Sequence, residues 1–336
     1  MPDVHFRLAH PGEDAAILDF INTHFDMHLP LINRPEFYNF YFAGPEDGAP
    51  HFAVAEETEG HFLSVAGYIP AGRDPSAGVW VSIWVAAKGH NGVGLELMDA
   101  LPDLLGTPVL ACNNIRPATC KLYHFLGWQA ERLRHYYRLG TPGPEGWTLA
   151  VPGDAAPLPA PAKDLDLEPV TDADALEALG LPETPHTPKK DLWYLRRRYF
   201  DFPHFHYDVW AVREKGRLLA YTVTRTVSAA DTGCAPVLRL VDLIGPDDVL
   251  PRIGGTLDEL LCRTGAEYLD CYNAGIDPDI WRQAGLTERR EGDGVIIPNY
   301  LTPPLRDNTE YYYFVNRPEN FVMFKADGDQ DRPNLS

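Results

Sequence analysis

Between Val79 and Trp128 the chain runs strand, glycine turn, helix, strand, helix, and that order constrains its fold more than any other feature. The apolar run Val79-Trp80-Val81-Ser82-Ile83-Trp84-Val85 reads as a buried strand. A turn, Lys88-Gly89-His90-Asn91-Gly92-Val93-Gly94, follows and opens a helical run from Leu95 to Leu101. Such a turn points several backbone N–H groups at one spot, and the helix dipole makes that spot favourable for phosphate. A second strand, Val109 to Asn114, leads into a helix that carries Ala118 and Tyr123 and exits through Gly127-Trp128. The stretch reads as a seat for a pyrophosphate-bearing cofactor.

The chain echoes itself. Phe6 to Leu18 and Leu165 to Leu176 each read as a short strand, a proline, an acidic helix start and an apolar helix. Two aromatic helices follow, Pro35 to Phe42 and Leu192 to Phe200. Each precedes a hairpin: His51–Glu56 with His61–Ile69, and Tyr207–Arg213 with Leu218–Val227. The second half adds a central strand from Val237 to Ile244, a helix from Pro251 to Arg263 and a strand from Tyr268 to Asn273. Tyr123 and Trp281 both stand four residues before a glycine. Between the halves, residues 151–164 are rich in Pro and Ala, which favours extended chain. The expected divisions are a first domain over 1–148, a linker over 149–164, a second domain over 165–316 and a tail over 317–336.

The turn and its downstream helix resemble the core of the GNAT superfamily, the acyl-CoA-dependent N-acyltransferases. Members carry an Arg/Gln-x-x-Gly-x-Gly/Ala turn, then an Asn after the next strand, then an Ala…Tyr…Gly-aromatic helix. Gly92-Val93-Gly94, Asn113 or Asn114, Ala118, Tyr123 and Gly127-Trp128 match in order. The Arg/Gln position falls on Gly89, with Lys88 one residue early. The resemblance covers nearly all of residues 4–316. It implies an α/β fold of mixed α+β type, with two tandem GNAT-like domains. Each is a twisted, mostly antiparallel sheet flanked by helices.

The second half departs from the pattern at the turn. It reads Gly245-Pro246-Asp247-Asp248-Val249-Leu250-Pro251, with two prolines that lack a donor and two aspartates that repel pyrophosphate. Its glycine pair, Gly254-Gly255, falls inside the expected helix. Acetyl-CoA, or another acyl-CoA, is therefore expected in the first half alone, with the second half shaping the acceptor site.

By the resemblance, the cofactor contacts are Val85, Ala86, Lys88, Gly89, His90, Asn91, Gly92, Val93, Gly94, Asn113 and Asn114. Backbone N–H groups of Val85 and Ala86 stand where family geometry puts the oxyanion donors. Lys88, Arg116 and Lys121 are candidate cations for the phosphates. Tyr123 matches the family's general acid for the thiolate; its alternative is a core aromatic on an amphipathic helix. The central strand offers Ser82 but no carboxylate, so the base is sought elsewhere. His24, Asp26 and His28 cluster after the first helix, and His suits proton uptake near neutral pH. His24 and His28 are the candidate bases. Asp26, Ser82, His204 and His206 are candidate acceptor contacts, and surface or structural roles stay open for each histidine.

No His/Cys cluster has zinc spacing, and the Asp-rich tail lacks the distal glutamate of a calcium loop, so no metal is expected. Instead the tail is expected to dock, with Phe321 and Phe324 buried and Arg332 paired to an acid. Five scattered cysteines suit a reduced compartment, and neither a leader nor a membrane span is evident, so a cytoplasmic protein is expected. A net charge of −19 disfavours nucleic acid, and with it an aminoacyl-tRNA-dependent transferase. A monomer or homodimer acting on a small amine remains. The chain's ending is similar to two-half GNAT-like proteins of bacterial surface-polysaccharide gene sets, which implies an amino sugar or nucleotide-linked amino sugar. A polyamine or aminoglycoside is the other acceptor class, and a non-catalytic binding or scaffold protein the other reading.

Overall fold

The computed structural model describes residues 4–25, 29–43, 48–155, 158–299 and 303–333. In chain order the first half supplies β1 (His5–Leu8), α1 (Asp14–His24), α2 (Pro30–Asn33), α3 (Pro35–Tyr41), β2 (Phe52–Thr58), β3 (His61–Pro70), β4 (Val79–Ala86), α4 (Asn91–Leu105), β5 (Leu110–Ile115), α5 (Cys120–Phe125), β6 (Gln129–Arg132) and β7 (Arg134–Leu139). The second supplies β8 (Leu167–Val170), α6 (Ala173–Leu179), α7 (Leu192–Tyr199), β9 (Asp208–Glu214), β10 (Arg217–Val227), α8 (Ala229–Thr232), β11 (Val237–Ile244), α9 (Val249–Thr264), β12 (Tyr268–Ala274), α10 (Pro278–Gln283), β13 (Thr287–Glu288), β14 (Tyr312–Val315) and β15 (Met323–Phe324).

Two sheets result. One has the order β1-β2-β3-β4-β5-β14-β6, the other β13-β7-β12-β11-β10-β9-β8. Each has one parallel pair near its centre. β4 and β5 share only the registers Val79↔Leu110 and Trp80↔Ala111; β11 and β12 share only Leu238↔Leu269 and Arg239↔Asp270. Past those two residues both pairs splay. The helices that follow the central strands, α4 and α9, bury apolar stripes at helical spacing. In α4 these are Leu97, Met98, Leu101 and Leu105; in α9 they are Leu250, Ile253, Leu257 and Leu261.

The expected divisions at 148 and 316 cut through both sheets. β7 comes from the first half yet pairs β12 in the second sheet, from Leu139↔Tyr268 to Arg134↔Asn273. β14 comes from the second half yet lies between β5 and β6. The chain crosses between sheets at Leu133, which is buried and donates its N–H to Tyr311 O at 2.8 Å. One apolar cluster is shared by the halves, with Phe37, Trp80 and Val109 beside Tyr194, Tyr221, Tyr272 and Met323.

The Pro/Ala-rich linker is strapped down rather than free. The Glu267 carboxylate accepts the N–H groups of Thr148, Leu149 and Ala150 at 2.5–2.9 Å. Burial alone would raise its pKa, but these bonds and the Thr148 hydroxyl bring it below the usual carboxylate value. Further along, Gly255 N–H donates to Ala162 O at 2.7 Å. A side chain at Gly255 would strike Pro161 O and Ala162 O, and one at Gly254 would strike Ala284 O, so the second half's glycine pair serves close packing. Among the described residues no helix is long and apolar enough to cross a membrane.

Candidate active site

Where β4 leaves β5, a cavity of about 710 Å³ opens. It falls within the size range of small-molecule pockets, about 300–1,000 Å³. A bulge bends β4 at this point: Gly67 pairs Ile83 and Tyr68 pairs Val81, so Ser82 faces no partner. A second bulge lies across the cavity. Asn113 pairs Tyr313 and Ile115 pairs Tyr312, which leaves Asn114 out of register at φ 60°, a conformation asparagine tolerates. Ser82, Trp84, Ala86, Asn113, Asn114 and Tyr123 all line the cavity.

Three of their polar atoms are buried without a hydrogen-bond partner among the described residues: Ser82 Oγ, Trp84 Nε1 and Asn113 Oδ1. Buried polar groups are nearly always paired, so such a set invites a ligand. The Asn113 amide has a defined orientation. Its Nδ2 donates to Lys325 O at 2.7 Å and Phe324 O at 3.4 Å, which leaves the oxygen as the open acceptor.

Ala87 N–H donates to Leu63 O on β3 at 2.8 Å. Alternate residues of an antiparallel strand face the same neighbour, so Val85 also turns its N–H toward β3. Of the two expected oxyanion donors, Ala86 has the open side and lines the cavity; Val85 does not.

Helix α4 begins at Asn91 beside this mouth. Its N-cap, His90, makes no side-chain bond to the first turn, so the leading amides have no cap from that side chain. A Cβ at Gly89 or Gly92 would meet nothing within 4 Å, which leaves the approach to those amides clear. Gly94 is crowded where Gly89 and Gly92 are not. A Cβ there would lie 3.0 Å from the Ala86 Cβ and 3.1 Å from Trp84 Nε1, so the missing side chain makes room for the Trp84 indole. Lys88, Gly89 and His90 are exposed on the turn, and Val93 packs its side chain toward the α4 core. Arg116 lines the cavity and lies 6.0 Å from the Phe25 ring; Lys121 is exposed outside the lining.

Tyr123 belongs to core and cavity at once. Its ring stacks on Phe314 of β14 at 4.1 Å between centroids. Burial raises the phenol's pKa well above its ordinary value, so the hydroxyl stays protonated.

The corresponding splay in the second sheet is filled by the chain's own tail. Asn273 pairs Arg134 of β7 on one side and Phe324 of β15 on the other, so β15 lies in the gap on the β11 side. Lys190 Nζ clamps it, 2.7 Å from Asp242 of β11 and 2.7 Å from Asp327 of the tail. Asp331 takes Arg225 at 2.6 Å and the Tyr207 hydroxyl at 2.8 Å. Burial opposes the Asp331 charge, but Arg225 and Arg198 outweigh it and lower the pKa. The same segment then reaches the first half, where Asp329, Gln330 and Arg332 wall the 710 Å³ cavity. Phe321 and Phe324 are buried, and Arg332 pairs with Asp329 at 2.6 Å.

The histidines stand elsewhere. His24 ends α1, exposed, with its ring on Phe20 at 4.6 Å; the neighbouring Phe25 reaches the cavity instead. His204 packs on Phe37 at 4.5 Å and His206 is exposed near Asp208, so neither lines the cavity. Asp26 and His28 lie outside the described residues. The wall contributed by the second half is the Asp329–Arg332 segment, which sequence spacing could not connect to Ser82 some 250 positions earlier. The alternating acids of the tail were the visible signal, without an address.

No protein-family model matches the chain, and no curated protein sequence does either. Among solved structures, a GCN5-related N-acetyltransferase from Anabaena variabilis matches 93% of this chain and 72% of its own with a TM-score of 0.51 and 14% identity. A protein of unknown function from Enterococcus faecalis, described as a probable N-acyltransferase, matches over the same 93% and 72% with a TM-score of 0.51 and 9% identity. At such identity the likeness is one of fold. Two splayed sheets, each with a helix after its central strand, make the same statement from within: the chain has the fold of the GCN5-related N-acetyltransferases, built in tandem.

Proposed function

We propose that this protein is an acyl-CoA-dependent N-acyltransferase whose working site is the first-half cavity. The observation that carries the reading is the asymmetry of the two splays. One is open beside an uncapped helix start and a protonated tyrosine; the other is filled by β15. When bound, acetyl-CoA would supply an activated thioester. The first-turn amides of α4 favour its pyrophosphate, with Arg116 near the mouth. Ala86 N–H is oriented to stabilise an oxyanion, and the Tyr123 hydroxyl can protonate the departing thiolate. Holding amine and thioester together in one cavity supplies much of the rate.

The acceptor in this reading is a small primary amine, with an amino sugar favoured by the aromatic walls Phe25 and Trp84. The −19 charge supports a small molecule over nucleic acid. Calorimetry with acetyl-CoA tests the core of the proposal. One molecule should bind per chain, and ligand at about 100 times its dissociation constant should stabilise by about 2.7 kcal/mol. Two per chain would contradict the plugged second splay; none would leave a GNAT-like binding or scaffold protein.

A further inference from the structure

The tail places a carboxylate where the central strand has none, and this points to the kind of acceptor; the inference rests on the acyltransferase reading above. Among the described residues that line the cavity, Asp329 is the one acid, and it stands beside two cations, Arg332, which pairs with it, and Arg116. Asp329 is 3% exposed, so its charge acts on the cavity rather than on bulk water. Gln330 Nε2 occupies its Oδ1 at 2.7 Å and Arg332 Nη1 its Oδ2 at 2.6 Å. A carboxylate offers about four acceptor positions, so each oxygen keeps one. Asn113 lines the same cavity, and its Oδ1 is buried with no partner among the described residues. Both groups accept and neither donates there. A hydroxyl has one proton to give, whereas a protonated primary amine has three and carries the complementary charge.

We propose that Asp329 and Asn113 form the subsite for the acceptor's amino group, and that the acceptors are cationic primary amines. Asp329 holds the ammonium at the cavity wall, and Asn113 Oδ1 accepts a hydrogen bond from a second of its N–H groups. The subsite exists only when the tail is docked, because the Asn113 amide is turned by its bonds to Lys325 and Phe324.

The test uses the full chain. Acetyl-CoA binding is measured first, then transfer to spermidine, to kanamycin and to aniline, an amine uncharged at neutral pH. The wild type is expected to acetylate at least one of the two cations. Asp329→Asn should raise the KM for that cation about tenfold to a hundredfold and leave acetyl-CoA binding intact. Asp329→Glu should recover part of the loss, and the wild-type KM should rise with ionic strength. An unchanged KM in Asp329→Asn, or transfer to neither cation by a chain that binds acetyl-CoA, overturns the subsite. Failure of the wild type to bind acetyl-CoA overturns the acyltransferase reading instead.

Discussion

At Tyr123 one side chain serves two demands that sequence alone could not separate. Its ring stacks on Phe314 at 4.1 Å and lies parallel to Trp128 at 6.2 Å, as a core aromatic would, while the residue also lines the cavity. Tyr123→Phe keeps the ring and removes only the hydroxyl. It should lower turnover by about 10²- to 10⁴-fold, the usual range for a general acid, with acetyl-CoA affinity nearly unchanged. Single-turnover kinetics with a cationic amine would measure it, and equal rates would return Tyr123 to a purely packing role. Gly94 teaches the reverse lesson. The glycine pair was legible as a motif, but only packing against Trp84 reveals that its two members differ in surroundings, Gly92 open and Gly94 crowded.

At the scale of elements, the strand-turn-helix unit from β4 to α5 was readable because each piece is local: an apolar run, a glycine turn, a helical stripe. The hairpins β2–β3 and β9–β10 were readable for the same reason. The places of β7 and β14 in the sheets were not, since their neighbours are chosen by pairing across more than a hundred residues. The tail is the extreme case, and it also titrates. Lys325 is buried, bonds Gln330 O at 2.7 Å and lies 4.4 Å from the Tyr311 ring centre. Burial lowers its pKa to about 7. Unfolded lysine titrates near 10.4, so above about pH 7 the unfolded chain holds a proton that the folded chain has released. Stability should therefore rise with pH from about 7 to about 8.5, below the range of free thiols, by at most ~1.4 kcal/mol per pH unit from this group. Lys325→Met should flatten that slope in thermal melts taken across the window. The same slope in both proteins would mean that the buried amine stays charged.

For the whole molecule, exchange of β7 and β14 makes two halves of one fold interdependent. Residues 1–148 alone lack Phe314 and Val315, both fully buried, and leave β7 without its partner β12. They also expose their side of the cluster shared with Tyr194, Tyr221 and Tyr272. That fragment should show no cooperative melt by circular dichroism and no acetyl-CoA binding. A soluble fragment with a sharp transition and full affinity would show that the first sheet closes without β14. The exchange also sets a schedule for synthesis. A ribosome extends the chain at about 5–20 residues per second, and most domains fold as soon as they have emerged. Here neither sheet has all its strands until residues 312–324 have been made, so both wait, partly unpaired, for that segment. A chain cut short by a late stop codon would not be a slightly weaker catalyst. It would lack β15, the clamp on Lys190 and the wall of the cavity together, and it would go to the protease rather than to the substrate.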